Sequence, residues 1–186
     1  GMFVFPSGAT IWLGHIADEN SYQKYQGFNI HKLLIEELTH IPRLADYIKI
    51  LGSVRSTNPL IKAQVFATTN PDGPGYEWVK DRWQIPDRPV GNVYKRTIKN
   101  GEYNRYLEFI PSRVTDNVYL AENKDYMSYL NSIQDEELKR AWLDGSWEGF
   151  GVEGSYYKAQ IDQAYIDNRV RPGLYDPLLP VYTWCD

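Results

Sequence analysis

The segment His31-Lys32-Leu33-Leu34-Ile35-Glu36-Glu37-Leu38-Thr39-His40 sets two adjacent carboxylates at the end of an apolar run. In a nucleotide-hydrolysing α/β fold, this is the makeup of one half of an ATP site. A buried strand delivers one acid to the Mg²⁺ shell and a neighbouring Glu to the attacking water. The pattern also suits a helix, because Ile30, Leu33, Leu34, Leu38 and Ile41 fall at i, i+3, i+4, i+8 and i+11. If the segment is a strand, Glu36 and Glu37 point to opposite faces, which does not suit a carboxylate pair flanking one glycosidic bond.

A second informative stretch is Ala67-Thr68-Thr69-Asn70-Pro71. Polar residues just past the C-terminal end of an α/β strand sit where such sheets hold their ligands. A Thr or Asn there can sense a γ-phosphate and pass its presence to the next loop. A plain strand exit punctuated by Asn-Pro reads the same way. No G-x-x-x-x-G-K-[ST] loop occurs anywhere. Gly73-Pro74-Gly75 cannot replace it, lacking the Lys and the strand-loop-helix frame. His15, His31 and His40 show no metal-ligand spacing and have no cysteine beside them, so they read as surface or capped histidines. Trp142 and Trp147 read as packing residues first and partner contacts second.

The elements that must position these residues follow from local signals. Residues 2–5 and 10–14 read as a hairpin around Pro6-Ser7-Gly8-Ala9. A short helix can start at Asp18-Glu19-Asn20-Ser21 and stop before Gly27. After Pro42 a helix is expected, with Leu44, Tyr47, Ile48 and Leu51 on one face. Residues 61–69 read as a strand and Tyr76 to Trp83 as one short helix. Residues 84–104, rich in Pro, Gly and Lys, read as a long loop. Tyr106 to Ile110 reads as a strand, with helices near 123–131 and 134–143. Residues 178–184 read as extended. Strands alternating with helices favour an α/β layer fold.

At 186 residues with a net charge of −4, the chain has one domain or one plus an appendage. It has no apolar run of spanning length and no signal-peptide pattern, which argues against a membrane or export role. A lone Cys185 excludes an internal disulfide and suits a reducing compartment. Gly1 ahead of Met2 looks like the residue left by tag removal. Between Val79 and Arg113, eight basic residues face four acids; from Asp116 onward, thirteen acids face six bases. That asymmetry fits a DNA-facing edge beside an acidic region, or an ordinary solvated surface.

Four blocks, taken in order, resemble the large terminase subunit of tailed bacteriophages, the ATP-driven motor that packages DNA into procapsids. Tyr25-Gln26-Gly27 with Leu33-Leu34-Ile35-Glu36-Glu37-Leu38-Thr39 is similar to its Walker B region. Ala67-Thr68-Thr69-Asn70-Pro71, Gly73-Pro74-Gly75 and Trp78-Val79-Lys80 resemble its coupling motif and the helix after it. Ile110-Pro111-Ser112-Arg113, Asp116-Asn117 and Tyr119-Leu120 form a third block, and Leu138 to Trp147 a fourth.

The resemblance implies an α/β fold, part of a P-loop (ASCE, RecA-like) three-layer α/β/α ATPase domain lacking its Walker A half, which in the family precedes the Walker B strand. Residues 1–150 would be the C-terminal part of that domain. Residues 151–186 would lead into the first strand of an RNase H-like nuclease that cuts the DNA. Glu37 would be the general base and Glu36, where the family usually has Asp, would hold the Mg²⁺ shell. Thr68, Thr69 and Asn70 would couple hydrolysis to movement. Asp186 would be the first ligand of an incomplete nuclease metal site. Lys80, Arg82, Lys95, Arg96 and Lys99 are the candidate DNA contacts. Mg²⁺ and ATP are the implied cofactors of the longer protein, with neither held tightly by this piece alone, which is expected not to turn over ATP. Double-stranded DNA, portal protein and small terminase subunit are the implied partners, in the cytoplasm of the bacterial host. A DNA- or portal-binding module and an inactive prophage remnant are the alternative readings.

Overall fold

A computed structural model describes residues 1–16, 20–100 and 103–148, together with residues 160, 163, 164, 167 and 169. The expected strand over 178–184 and the metal-ligand role of Asp186 lie outside the described residues. The chain divides into two units, Gly1–Phe150 and Gly151–Asp186. The first unit holds every strand among the described residues.

β1 (Met2–Val4) and β2 (Thr10–Trp12) form the expected antiparallel hairpin, with Met2 opposite Trp12. Gly8 supplies the positive φ, 82°, that its turn requires. A 3₁₀ turn over Ser21–Tyr25 precedes β3 (Lys32–Ile35). The chain then crosses through α1 (Leu44–Leu51) to β4 (Gln64–Ala67), which lies parallel to β3 with Lys32 opposite Gln64 and Ile35 opposite Ala67. This is a βαβ unit, and it decides the ambiguity at residues 30–41 in favour of the strand. Leu33, Ile35 and Val65 pack against the core, whereas Leu34 and Phe66, paired in register, stay 75% and 56% exposed on the other face. The period is two, as a strand demands.

α2 (Tyr76–Trp83) falls where the sequence places it. The core lies between α1, α2 and the turn after β3, built from Leu38, Ile41, Tyr47, Ile50, Leu51, Tyr76, Val79, Ile85 and Trp147. Tyr47 stacks on Trp78 at 5.2 Å, and Tyr76 stacks on Trp147 at 5.5 Å. Trp147 meets Phe109 edge-on, so its packing role holds. The expected face of α1 needs correction. Tyr47, Ile50 and Leu51 are buried beside Asp46, while Leu44 and Ile48 are exposed. Tyr47 and Leu51 are buried as expected, with Tyr47 against Trp78 and Trp83 of α2, and the buried stripe turns by about one residue to take in Asp46 and Ile50.

The expected loop over 84–104 is also corrected. Its second half forms β5 (Tyr94–Asn100), paired antiparallel along its length with β6 (Tyr103–Phe109). Lysines disfavour a strand weakly, but a complete ladder of backbone hydrogen bonds with β6 outweighs that preference. Side chains alternate, with Tyr94, Arg96 and Ile98 half-buried and Lys95, Thr97 and Lys99 exposed. α3 (Val118–Ala121), α4 (Lys124–Asn131) and α5 (Glu136–Asp144) follow. Asn117, Asn123 and Asp135 cap their first turns through side-chain oxygens that accept backbone N–H bonds. No described helix is long and apolar enough to cross a membrane.

Burial separates two leucines that look alike in sequence. Leu38→Ala, at 3% exposure, is expected to cost about 2–5 kcal/mol. Leu34→Ala should stay within about 0.5 kcal/mol. Denaturant unfolding of the two variants checks the contrast.

Candidate functional site

The two parallel strands end side by side, and their exits are laced together. Thr68 N–H donates to the Ile35 carbonyl at 2.9 Å, and Leu38 N–H donates to the Thr68 carbonyl at 3.0 Å. Thr39, wholly buried, adds three contacts. Its N–H donates to Thr69 Oγ1 at 3.0 Å, and its hydroxyl lies 2.8 Å from that same oxygen and 2.8 Å from the Asn70 carbonyl. Thr69 Oγ1 also lies 3.1 Å from the Asn70 carbonyl. Each hydroxyl has one proton, so one of the two donates to the other and the second donates to that carbonyl. Thr69→Val is therefore expected to cost about 1–3 kcal/mol, because it strips the buried Thr39 N–H of its acceptor and leaves the Thr39 hydroxyl with the Asn70 carbonyl alone. Thermal unfolding, with Thr39→Val and the double variant completing a cycle, measures the coupling.

Glycines allow the next loop to close on this turn. Gly73 sits so near Thr39 that a Cβ there would lie 2.5 Å from its carbonyl carbon and oxygen. Gly75 N–H donates to the Thr39 carbonyl at 2.6 Å, and Trp78 Nε1 donates to the Ile41 carbonyl at 2.7 Å. The start of α2 is thus fastened to the turn after β3.

Glu37 occupies that turn in the left-handed region, φ 53° and ψ 62°. A non-glycine residue held there costs about 1–2 kcal/mol, and such strain gathers at functional sites. Its Oε2 is shut from solvent and has no hydrogen-bond partner. Glu36 beside it is exposed. Both acids lie just beyond the C-terminal end of β3, the ligand side of an α/β sheet. Asp72, in the loop after β4, accepts from Trp142 Nε1 at 2.7 Å through Oδ2, and its Oδ1 is buried without a partner. Ligand atoms of Glu37, His40 and Asp72 lie within 4.8 Å of one another. The histidine reading missed this group. Asp72 is 35 positions from Glu37, and only the parallel register of β3 and β4 brings it near.

Of the expected coupling residues, Thr69 is tied to the turn of Glu37 through its side chain and Thr68 through its backbone; Thr68 and Asn70 have exposed side chains. The expected basic residues do not form one surface. Lys80 is turned inward, with its ammonium 2.6 Å from Asp87 Oδ1, 2.7 Å from the Trp147 carbonyl and 3.1 Å from Tyr76 Oη. Burial lowers the Lys80 pKa, but the hydrogen bonds its ammonium donates to Asp87 and Tyr76 outweigh it and leave it raised. Arg82 lies over the rings of Tyr47 and Trp83. Burial above all holds its pKa below the usual value. Arg96 donates to the carbonyls of Asp81 and Arg82 at the end of α2. Lys95 pairs with Glu108 at 3.4 Å, and Lys99 shares its exposed face.

With this geometry in place, comparison with known proteins gives one result. The family described as terminase large subunit, T4likevirus-type, N-terminal matches residues 1–163. No curated protein and no solved structure matches the chain.

Proposed function

We infer what this chain does from the family it belongs to, the terminase large subunits. A role in phage DNA packaging comes with that membership. The finer reading is that residues 1–150 form the part of an ASCE-type, P-loop ATPase domain that senses hydrolysis and passes it on. One observation carries it. The turn bearing Glu37 is hydrogen-bonded through Thr39 to Thr69 and Asn70, and through Gly75 and Trp78 to the start of α2. A displacement at Glu37 must therefore move the β4 exit loop and α2, because buried hydrogen bonds are costly to break.

The donor set suits Mg²⁺ and ATP. Glu36 offers an exposed carboxylate, a hard oxygen ligand of the kind Mg²⁺ takes alongside water. Bound there, the metal would neutralise phosphate charge. Glu37 Oε2 has no internal hydrogen-bond partner, so its lone pairs are left for a water admitted to it when nucleotide is bound, the role of a base that orients water. Its strained backbone keeps that carboxylate in the turn. Thr69 and Thr39 hold the turn against the coupling loop. The sequence holds no phosphate-cradling loop of its own, so turnover needs one supplied from elsewhere. The test is thermal unfolding with and without Mg²⁺-ATPγS, on this chain and on a longer one carrying a phosphate loop. Stabilisation of the longer chain alone supports a shared ATP site, since a ligand of the native state raises the midpoint by mass action. No response from either removes the ATPase reading.

A second reading has its own observation. Lys95, Thr97 and Lys99 line one exposed face of the β5–β6 hairpin, where Tyr106 is 73% exposed. This face suits contact with DNA phosphates. Removing Lys99 should then weaken binding on any duplex sequence and flatten the salt dependence by about one unit of slope. Fluorescence anisotropy across a salt series reads both, and wild-type binding indifferent to salt would exclude the contact.

A further inference from the structure

We propose that Glu37, His40 and Asp72 form a binding site for a borderline divalent transition cation such as Zn²⁺, separate from any nucleotide-bound Mg²⁺. The site stands on the geometry of these three side chains and does not require the ATPase reading.

The backbone brings two of the ligands together locally. Glu37 precedes the 3₁₀ turn Leu38–His40 and His40 ends it. With three residues per turn, i and i+3 fall on the same side. The β4 exit loop supplies the third ligand, and the two glycines after Asp72 let that loop lie against Thr39.

The electrostatics lack a counterpart. Glu37 Oε2 and Asp72 Oδ1 are each closed to solvent with no hydrogen-bond donor on them. Nearly all buried polar atoms in proteins have a partner, so two bare carboxylate oxygens in one cluster call for one. A cation supplies what neither can give the other. Asp72 also has the outer support that metal ligands carry, because Trp142 Nε1 holds its second oxygen at 2.7 Å.

The donor set selects the metal class. One imidazole and two carboxylates suit Zn²⁺ or Co²⁺ better than Mg²⁺, which prefers oxygen alone. Bonds of about 2.0–2.2 Å require the ligand atoms to draw closer than the present 4.8 Å limit. Side-chain rotation would achieve this, since His40 is exposed and the Glu37 carboxylate is carried on two rotatable bonds beyond Cβ. Water would complete the shell. Occupancy would engage the Glu37 carboxylate and pin the β4 exit loop to its turn, making the ion an inhibitor of any reaction that uses Glu37 as a base.

The test is isothermal titration of the chain with ZnCl₂ in the absence of nucleotide, with Co²⁺ visible absorption reporting the ligand set. One equivalent is expected to bind in the presence of excess Mg²⁺. His40→Gln and Asp72→Asn should each weaken binding by about tenfold or more. Their metal-free unfolding midpoints serve as the folding control. No binding at about 1 mM zinc overturns the proposal. Equal affinity in wild type and a folded His40→Gln does so too. Zinc binding by this chain, with no response to Mg²⁺-ATPγS from the longer chain that carries a phosphate loop, would keep this site and remove the ATPase reading; the reverse result would do the opposite.

Discussion

Glu37→Gln is expected to lower ATP hydrolysis by about 10²–10⁴-fold in a terminase that carries this chain together with a phosphate loop, while leaving nucleotide affinity nearly unchanged. The magnitude is that of removing a positioned general base, about 10²–10⁴-fold. Gln keeps the length of Glu and its backbone preference, so the turn at φ 53° should survive. What disappears is the negative charge that, on the proposed reading, would accept the proton of water. Single-turnover hydrolysis under saturating nucleotide measures the step directly. A variant that hydrolyses at nearly the wild-type rate would assign the base elsewhere. Glu37→Gly makes a complementary case. Glycine visits the left-handed region freely, and the change also removes a buried oxygen without a partner. Stability should rise by about 1 kcal/mol while hydrolysis is lost. Opposite signs for stability and activity identify a residue kept for chemistry rather than for folding.

Gly75→Ala is expected to destabilise the chain by about 3 kcal/mol or more, among the largest single-site effects in it. The added methyl would run into the Ile41 carbonyl, lie 2.5 Å from Trp78 Nε1 and lie 2.9 Å from the Thr39 carbonyl. Two of these are backbone oxygens in a buried turn and cannot swing aside. Relief requires α2 to withdraw, which breaks the Gly75 N–H to Thr39 bond and the Trp78 to Ile41 bond together. The same movement separates the β4 exit loop from the turn of Glu37. Chemical denaturation reads the stability loss. In a packaging-competent protein, the variant should lose DNA movement even at temperatures where it remains folded. A midpoint unchanged from wild type would mean that the loop and turn are not held as tightly as their distances indicate.

Local elements whose signals lie within a few residues were legible without any tertiary information. The hairpin around Gly8, the helix over Tyr76–Trp83, and helices near 123–131 and 134–143 needed only local signals. The family was also legible, through four blocks in order. Other features had to wait for packing between distant segments. A four-residue strand at Lys32–Ile35 carries too short a pattern to exclude a helix, and its parallel partner at Gln64–Ala67 settles it. On α1 the period placed Tyr47 and Leu51 inside correctly, but that Asp46 and Ile50 join them while Leu44 and Ile48 face out depends on what the helix packs against. β5 exists because β6 completes its hydrogen bonds, against its lysine-rich composition. The association of Glu37, His40 and Asp72 is of the same kind. Local preference reaches along the chain for a turn or two, whereas a site assembled from two strand exits depends on register between segments some thirty residues apart, which folding alone establishes.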